Sequence, residues 1–141
     1  MKTKDYASAK KTLQVLNDLI RINIDRIAGF ERSAHEDLTP APDLRDAYYR
    51  MAVEGRANVN ALHAEVIRLG GPPVTQATIS GKIYLHWLDS GLPAGEATET
   101  AYHQALAETI PEKLHLLIET QLWSLERANQ RLHDLETANH A

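Results

Sequence analysis

The sequence predicts an all-helical four-helix bundle, and three observations carry that prediction. Apolar residues recur at alternating intervals of three and four along several long stretches, the spacing of a helix with one buried side. Proline and glycine stand between these stretches rather than inside them, apart from Gly29 and Gly55. Composition agrees, with a single Phe and an abundance of Ala, Leu, Glu and Arg. A chain of 141 residues is enough for one domain with a useful core, so a single domain over 1–141 is expected.

The first helix is expected over about 5–38, with Leu13, Leu16, Ile20, Asn23, Ile27, Phe30 and Ala34 along one face. Thr39, Pro40 and Pro42 break it, and Asp43 is placed to cap the next helix. That second helix, over about 43–70, organises the rest. Leu44, Tyr48, Met51, Gly55, Asn58, Leu62, Glu65 and Leu69 mark its seam, and Val59, Val66 and Ile67 form a second apolar flank. Gly70-Gly71-Pro72-Pro73 ends it, because glycine accepts a left-handed cap and proline cannot continue the helix. Residues 72–93 are a crossover long enough to run the height of a bundle, with a short helix around Ile83, Trp87 and Leu88 closed by Gly91. A third helix over about 94–108 and a fourth over about 111–137 follow, the latter opened by the capping-box pattern Thr109-Ile110-Pro111-Glu112. Leu114, Ile118, Gln121, Leu125, Ala128, Leu132 and Leu135 form its inner face. The connections near residues 40 and 110 are short, so each joins an antiparallel hairpin.

Without cysteine the chain has neither disulfides nor thiolate chemistry, and the basic start MKTKDYASAKK has no apolar run behind it. A cytoplasmic protein is expected. The net charge of −4, with acids and bases interspersed, leaves no footprint for nucleic acid or an anionic membrane. No glycine-rich phosphate loop and no nucleophile elbow occur.

Two hairpins joined by one long crossover are the ferritin-like arrangement. The segments LNDLIRINIDRIAGFERSA, RANVNALHAEVIRLGG with Ser80, Gly81 and Trp87 after it, and GEATETAYHQAL with IPEKLHLLIETQLWSLERANQRL resemble a bacterial family of uncharacterised four-helix-bundle proteins. That family sits within the ferritin-like superfamily and is distantly similar to rubrerythrins. The resemblance implies the fold, and an accessory or stress-associated role.

Counting from the two turns at about 1.5 Å per residue puts Asn23 opposite Asn58 and Glu99 opposite Gln121, at one level of the bundle. A central polar layer of Asn23, Asn58, Glu99 and Gln121 is therefore expected, with Glu54 and Tyr102 one turn away. A di-metal site needs bridging carboxylates and two Glu-x-x-His pairs. Glu54 is followed three positions on by Ala57, Glu126 by Asn129 and Glu96 by Glu99, and the one such pair, Glu112 with His115, opens the fourth helix. The layer thus reads as a hydrogen-bonded specificity device without metal or other cofactor.

Two alternatives stand beside that reading. One is a di-iron or single-metal oxidoreductase or ferroxidase using Glu54, Glu99, His103, His115 and Glu119. The other is an apolar-ligand carrier, with Tyr48 and Tyr102 lining a cavity left by small residues at Gly55 and Ala128. His35, His63, His86, His133 and His140 read as surface residues. Trp123, Leu116, Val59 and Val66 lie off the main seams, so a homodimer through that flank is expected, with Tyr84, Leu85 and Trp87 covering part of it.

Overall fold

The computed structural model describes residues 3–35, 41–75 and 94–139. They form four helices, α1 (Thr3–His35), α2 (Pro42–Arg68), α3 (Ala94–Leu106) and α4 (Glu112–Asn139), and no strand occurs among the described residues. The described residues form a four-helix bundle. The expected short helix, with Tyr84, Leu85, His86 and Trp87, falls outside the described residues, as does His140.

Around the bundle, α1 packs on α2 and α3, and α4 packs on α3 and α2. Side-chain pairs fix the directions. Glu31 meets Arg56 at 2.6 Å and His35 meets Tyr49 at 3.2 Å, so α1 and α2 are antiparallel. Lys11 meets Glu108 at 3.4 Å just beyond the end of α3, and Asn23 meets Tyr102 at 2.8 Å, so α1 and α3 are antiparallel. Tyr48 with Glu136 at 3.2 Å and Glu54 with Arg131 at 3.8 Å make α2 and α4 antiparallel as well. It follows that α2 and α3 run in the same direction.

The core is built on the expected seams of α1 and α4, with Leu16, Ile20 and Ile118 fully enclosed, joined by Leu19 of α1 and by Leu62 and Val66 of α2. Each such side chain contributes about 1.5–3 kcal/mol of burial free energy. The seam of α2 departs from expectation. Val59 and Val66 are core residues, 8% and 0% exposed, which corrects their assignment to an open flank. Asn58 and Glu65 are only half-buried and Leu69 is exposed. A strict heptad drifts by about 20° per repeat around an ordinary α-helix, so over the length of α2 the buried stripe moves from Leu44 and Met51 onto Val59 and Val66.

The ends of α2 carry a second correction and an agreement. Its N-cap is Ala41, with Pro42 in the first turn and no side-chain cap, so Asp43 lies inside the helix, where its charge still faces the positive dipole end. At the other end Gly70 has φ of 86°, its N–H donates to Ile67 O at 2.9 Å, and Gly71 N–H donates to Val66 O at 3.1 Å. This pair of bonds is the Schellman stop. Beyond it, Val74 is held by Asn17 Oδ1, which accepts its N–H at 3.1 Å, and by His63 Nε2, 2.8 Å from its carbonyl. His63 is accordingly half-buried rather than a surface residue.

Helices α1 and α2 approach closely at Gly55, where a Cβ would stand 2.7 Å from Ile27 Cγ1. Ile27 therefore fills the space that a carrier cavity would have needed there.

Candidate functional site

Midway along the bundle a hydrogen-bonded relay passes through all four helices. Asn23, fully buried on α1, donates from Nδ2 to its own helix at Leu19 O (2.8 Å) and to the Tyr102 hydroxyl on α3 (2.8 Å). Tyr102 donates in turn to Gln121 Oε1 on α4 at 2.7 Å. Gln121 Nε2 then donates to the backbone carbonyl of Asn58 on α2 at 3.3 Å. Because the Asn23 amide spends its protons on Leu19 and Tyr102, the phenol can only accept from it and must give its own proton to Gln121. The order of donation is fixed.

One turn further on lies a second, charged tier. Arg26 is buried, its Cζ 4.8 Å from the centre of the Phe30 ring, and its Nη2 donates to Asn129 Oδ1 on α4 at 2.6 Å. Asn129 Nδ2 donates to Glu99 Oε1 on α3 at 2.9 Å. Burial pulls the Arg26 pKa from 12.5 down to about 10, while Tyr102, Glu54 and Glu99 act to raise it. The guanidinium remains a cation at neutral pH. Burial likewise pushes the Tyr102 pKa well above the usual tyrosine range, against the opposing pull of the Asn23 hydrogen bond and the Arg26 charge. The phenol therefore keeps its proton.

Of the residues expected in a polar layer, Asn23, Tyr102 and Gln121 are joined directly, and Asn58 takes part through its carbonyl instead of its side-chain amide. Glu99 belongs to the neighbouring tier and faces Asn129, two turns beyond its expected partner Gln121. Gln121 is instead taken by Tyr102, one turn nearer the α3–α4 connection. Cα–Cβ bonds tilt toward the N-terminus of each helix, so the first helix of a hairpin reaches away from the turn and the second reaches back toward it, which supplies about one residue per helix of the offset. Glu54 is half-exposed and pairs with Arg131 across the outer α2–α4 groove, a cleft of about 360 Å³ also lined by Asn58, Ser124 and Arg127.

The residues of the metal alternative do not come together. His115 and Glu119 stand 3.9 Å apart in the opening turns of α4, His103 is exposed, and Glu54 and Glu99 are held by Arg131 and Asn129. Among the described residues no group of three or more His, Cys, Asp or Glu side chains could hold a metal ion. The interior donors are also unsuited to a pair of hard cations, which require anionic oxygen and neutral imidazole ligands. What stands there is a guanidinium, three amides, a protonated phenol and the Glu99 carboxylate, itself held by Asn129.

Arg26 and Asn129 were not foreseen. Their signal was weak but present, since Arg26 falls one turn after Asn23 and one turn before Phe30, and Asn129 adjoins the core residue Ala128. On the outer side of α4, Trp123 is 66% exposed and Leu116 56% exposed.

Fold and interior together define a helical bundle whose middle is organised by neutral hydrogen bonds and one buried cation. The chain belongs to the domain of unknown function family DUF2383, whose family model matches residues 11–109, from α1 to the turn before α4. Comparison with curated proteins gave no match. Gln121 and Asn129, which complete the two tiers, lie on α4 beyond the matched residues.

Proposed function

We propose that this chain is a non-catalytic, ferritin-like four-helix bundle, a single domain over 1–141 that works as a structural, protein-interaction or stress-associated factor with a degenerate metal site. The observation that carries the reading is the interior itself. Where a di-metal bundle sets carboxylates and histidines, this chain sets the relay of Asn23, Tyr102 and Gln121 and the buried Arg26 cation. The parallel course of α2 and α3 supports two hairpins joined by a crossover that travels back along the bundle. Exposed Trp123 and Leu116 support a homodimer through the outer face of α4. No described helix is long and apolar enough to cross a membrane, and acids and bases are interspersed, which favours neither membrane nor nucleic acid as a partner. A cytoplasmic location accords with a chain that has no cysteine.

The test is elemental analysis of untagged protein purified without chelator, followed by anaerobic addition of ferrous iron and then oxygen. The expected result is no stoichiometric metal and oxygen uptake no faster than buffer. Iron at about two per chain, with rapid oxygen uptake, would overturn the proposal.

A further inference from the structure

Two buried polar atoms remain unsatisfied beside the relay. Asn23 Oδ1 and Arg26 Nε have no hydrogen-bond partner among the described residues, although both side chains are enclosed. Leaving one such atom without a partner costs about 1–3 kcal/mol, and more for a charged group, so two on adjacent turns call for a common explanation.

Their chemistry selects the occupant. Asn23 Oδ1 is an acceptor in need of a donor, because both amide protons are committed to Leu19 O and Tyr102. Turning the amide over would replace those two donations with an oxygen facing the Leu19 carbonyl, so the assignment is fixed. Arg26 Nε carries a proton in need of an acceptor. An anion would satisfy the arginine and be repelled by the Asn23 oxygen, and a cation would do the reverse. A neutral molecule that both donates and accepts satisfies the two together.

We infer that Asn23 Oδ1 and Arg26 Nε form an internal site for one water molecule, which accepts from the guanidinium and donates to the amide oxygen. Asn23 and Arg26 leave α1 from the same side, one turn apart. A water with hydrogen bonds of about 2.7–3.2 Å on either side bridges two polar atoms that cannot reach each other directly. Two to four partners are usual for a buried water, and these two atoms, one of them on a cation, supply two. The water keeps Arg26 partly hydrated inside the bundle and links the neutral tier to the charged one.

The test is NMR of the full-length labelled chain in ordinary water. The Arg26 Hε resonance should show a cross-peak at the water frequency whose sign reverses between laboratory-frame and rotating-frame experiments, as direct contact with a long-lived water requires. Tyr102→Phe removes the hydroxyl that could relay such a signal, and the cross-peak should survive it. Asn23→Leu removes the acceptor, and the cross-peak should vanish while the dispersed spectrum of a folded bundle remains. Absence of the cross-peak in the unsubstituted chain, its loss in Tyr102→Phe, or its persistence at full intensity in Asn23→Leu would each overturn the site.

Discussion

Replacing Tyr102 with Phe tests whether the relay is held as a satisfied unit. The substitution keeps the ring and removes the oxygen that accepts from Asn23 at 2.8 Å and donates to Gln121 at 2.7 Å. Gln121 Oε1 then lacks a donor and one Asn23 amide proton lacks an acceptor, both in the interior, while Asn23 keeps its bond to Leu19 O. At about 1–3 kcal/mol for each stranded group, less the small gain from burying a less polar ring, a loss of about 3 kcal/mol is expected. For a chain of this size that lowers the melting temperature by about 8–10 °C. Urea unfolding followed by circular dichroism should show a lower midpoint with an unchanged slope. The triple variant Asn23→Leu, Tyr102→Phe, Gln121→Leu strands far fewer groups and should be more stable than Tyr102→Phe alone. A Tyr102→Phe protein within about 0.5 kcal/mol of the parent, or a triple variant less stable than the single, would refute the reasoning.

Other predictions follow from the same tiers. Because burial raises the Tyr102 pKa, the unfolded chain ionises this tyrosine near pH 10 while the folded chain does not. Its contribution is fully present below pH 10 and declines above it, by about 1.4 kcal/mol at pH 11. Arg26, lowered to about 10 by burial, adds stability over the same range because the unfolded chain keeps that proton longer, so melts between pH 8 and 11 should show the Tyr102 decline as a fall of the parent relative to Tyr102→Phe; equal slopes would contradict the assignment. Asn58→Leu should change stability by less than about 0.5 kcal/mol, since only the carbonyl of Asn58 joins the relay and its side chain is half-exposed. A large loss in thermal unfolding would show that the amide itself matters. Trp123→Ala should shift the mass by light scattering from dimer to monomer with the helical signal intact, and an unaltered mass would remove α4 from the interface.

Much of this arrangement could be read from the chain because it rests on local rules. The Gly70-Gly71 stop needs only the left-handed tolerance of glycine, and the inner face of α4 follows the helical period from Leu114 to Leu132. What could not be read depends on how helices lie against one another. Val59 and Val66 turn inward because seam drift accumulates along α2, and Glu99 meets Asn129 rather than Gln121 because the register of α3 on α4 is set by packing, with Tyr102 taking Gln121. Arg26 was missed for an energetic reason. A buried guanidinium is stable only with Asn129 and Phe30 waiting for it, and one of those lies 103 positions away in sequence.

That distance has a bearing on how the chain assembles. During synthesis the α1–α2 hairpin emerges before α3 and α4 exist, exposing an apolar face to identical hairpins on neighbouring ribosomes. Were the face purely hydrocarbon, two such hairpins could pair and trap an exchanged dimer. Pairing them would bring two Arg26 cations into one interior with neither Asn129 nor Glu99 to receive them, a penalty of several kcal/mol per charge. The charge would thus disfavour such pairing until the chain's own second hairpin arrives. Arg26→Leu should accordingly raise the share of hairpin-exchanged dimer after rapid refolding at high concentration, seen by gel filtration, and an unchanged share would leave the arginine with a role in the finished fold alone.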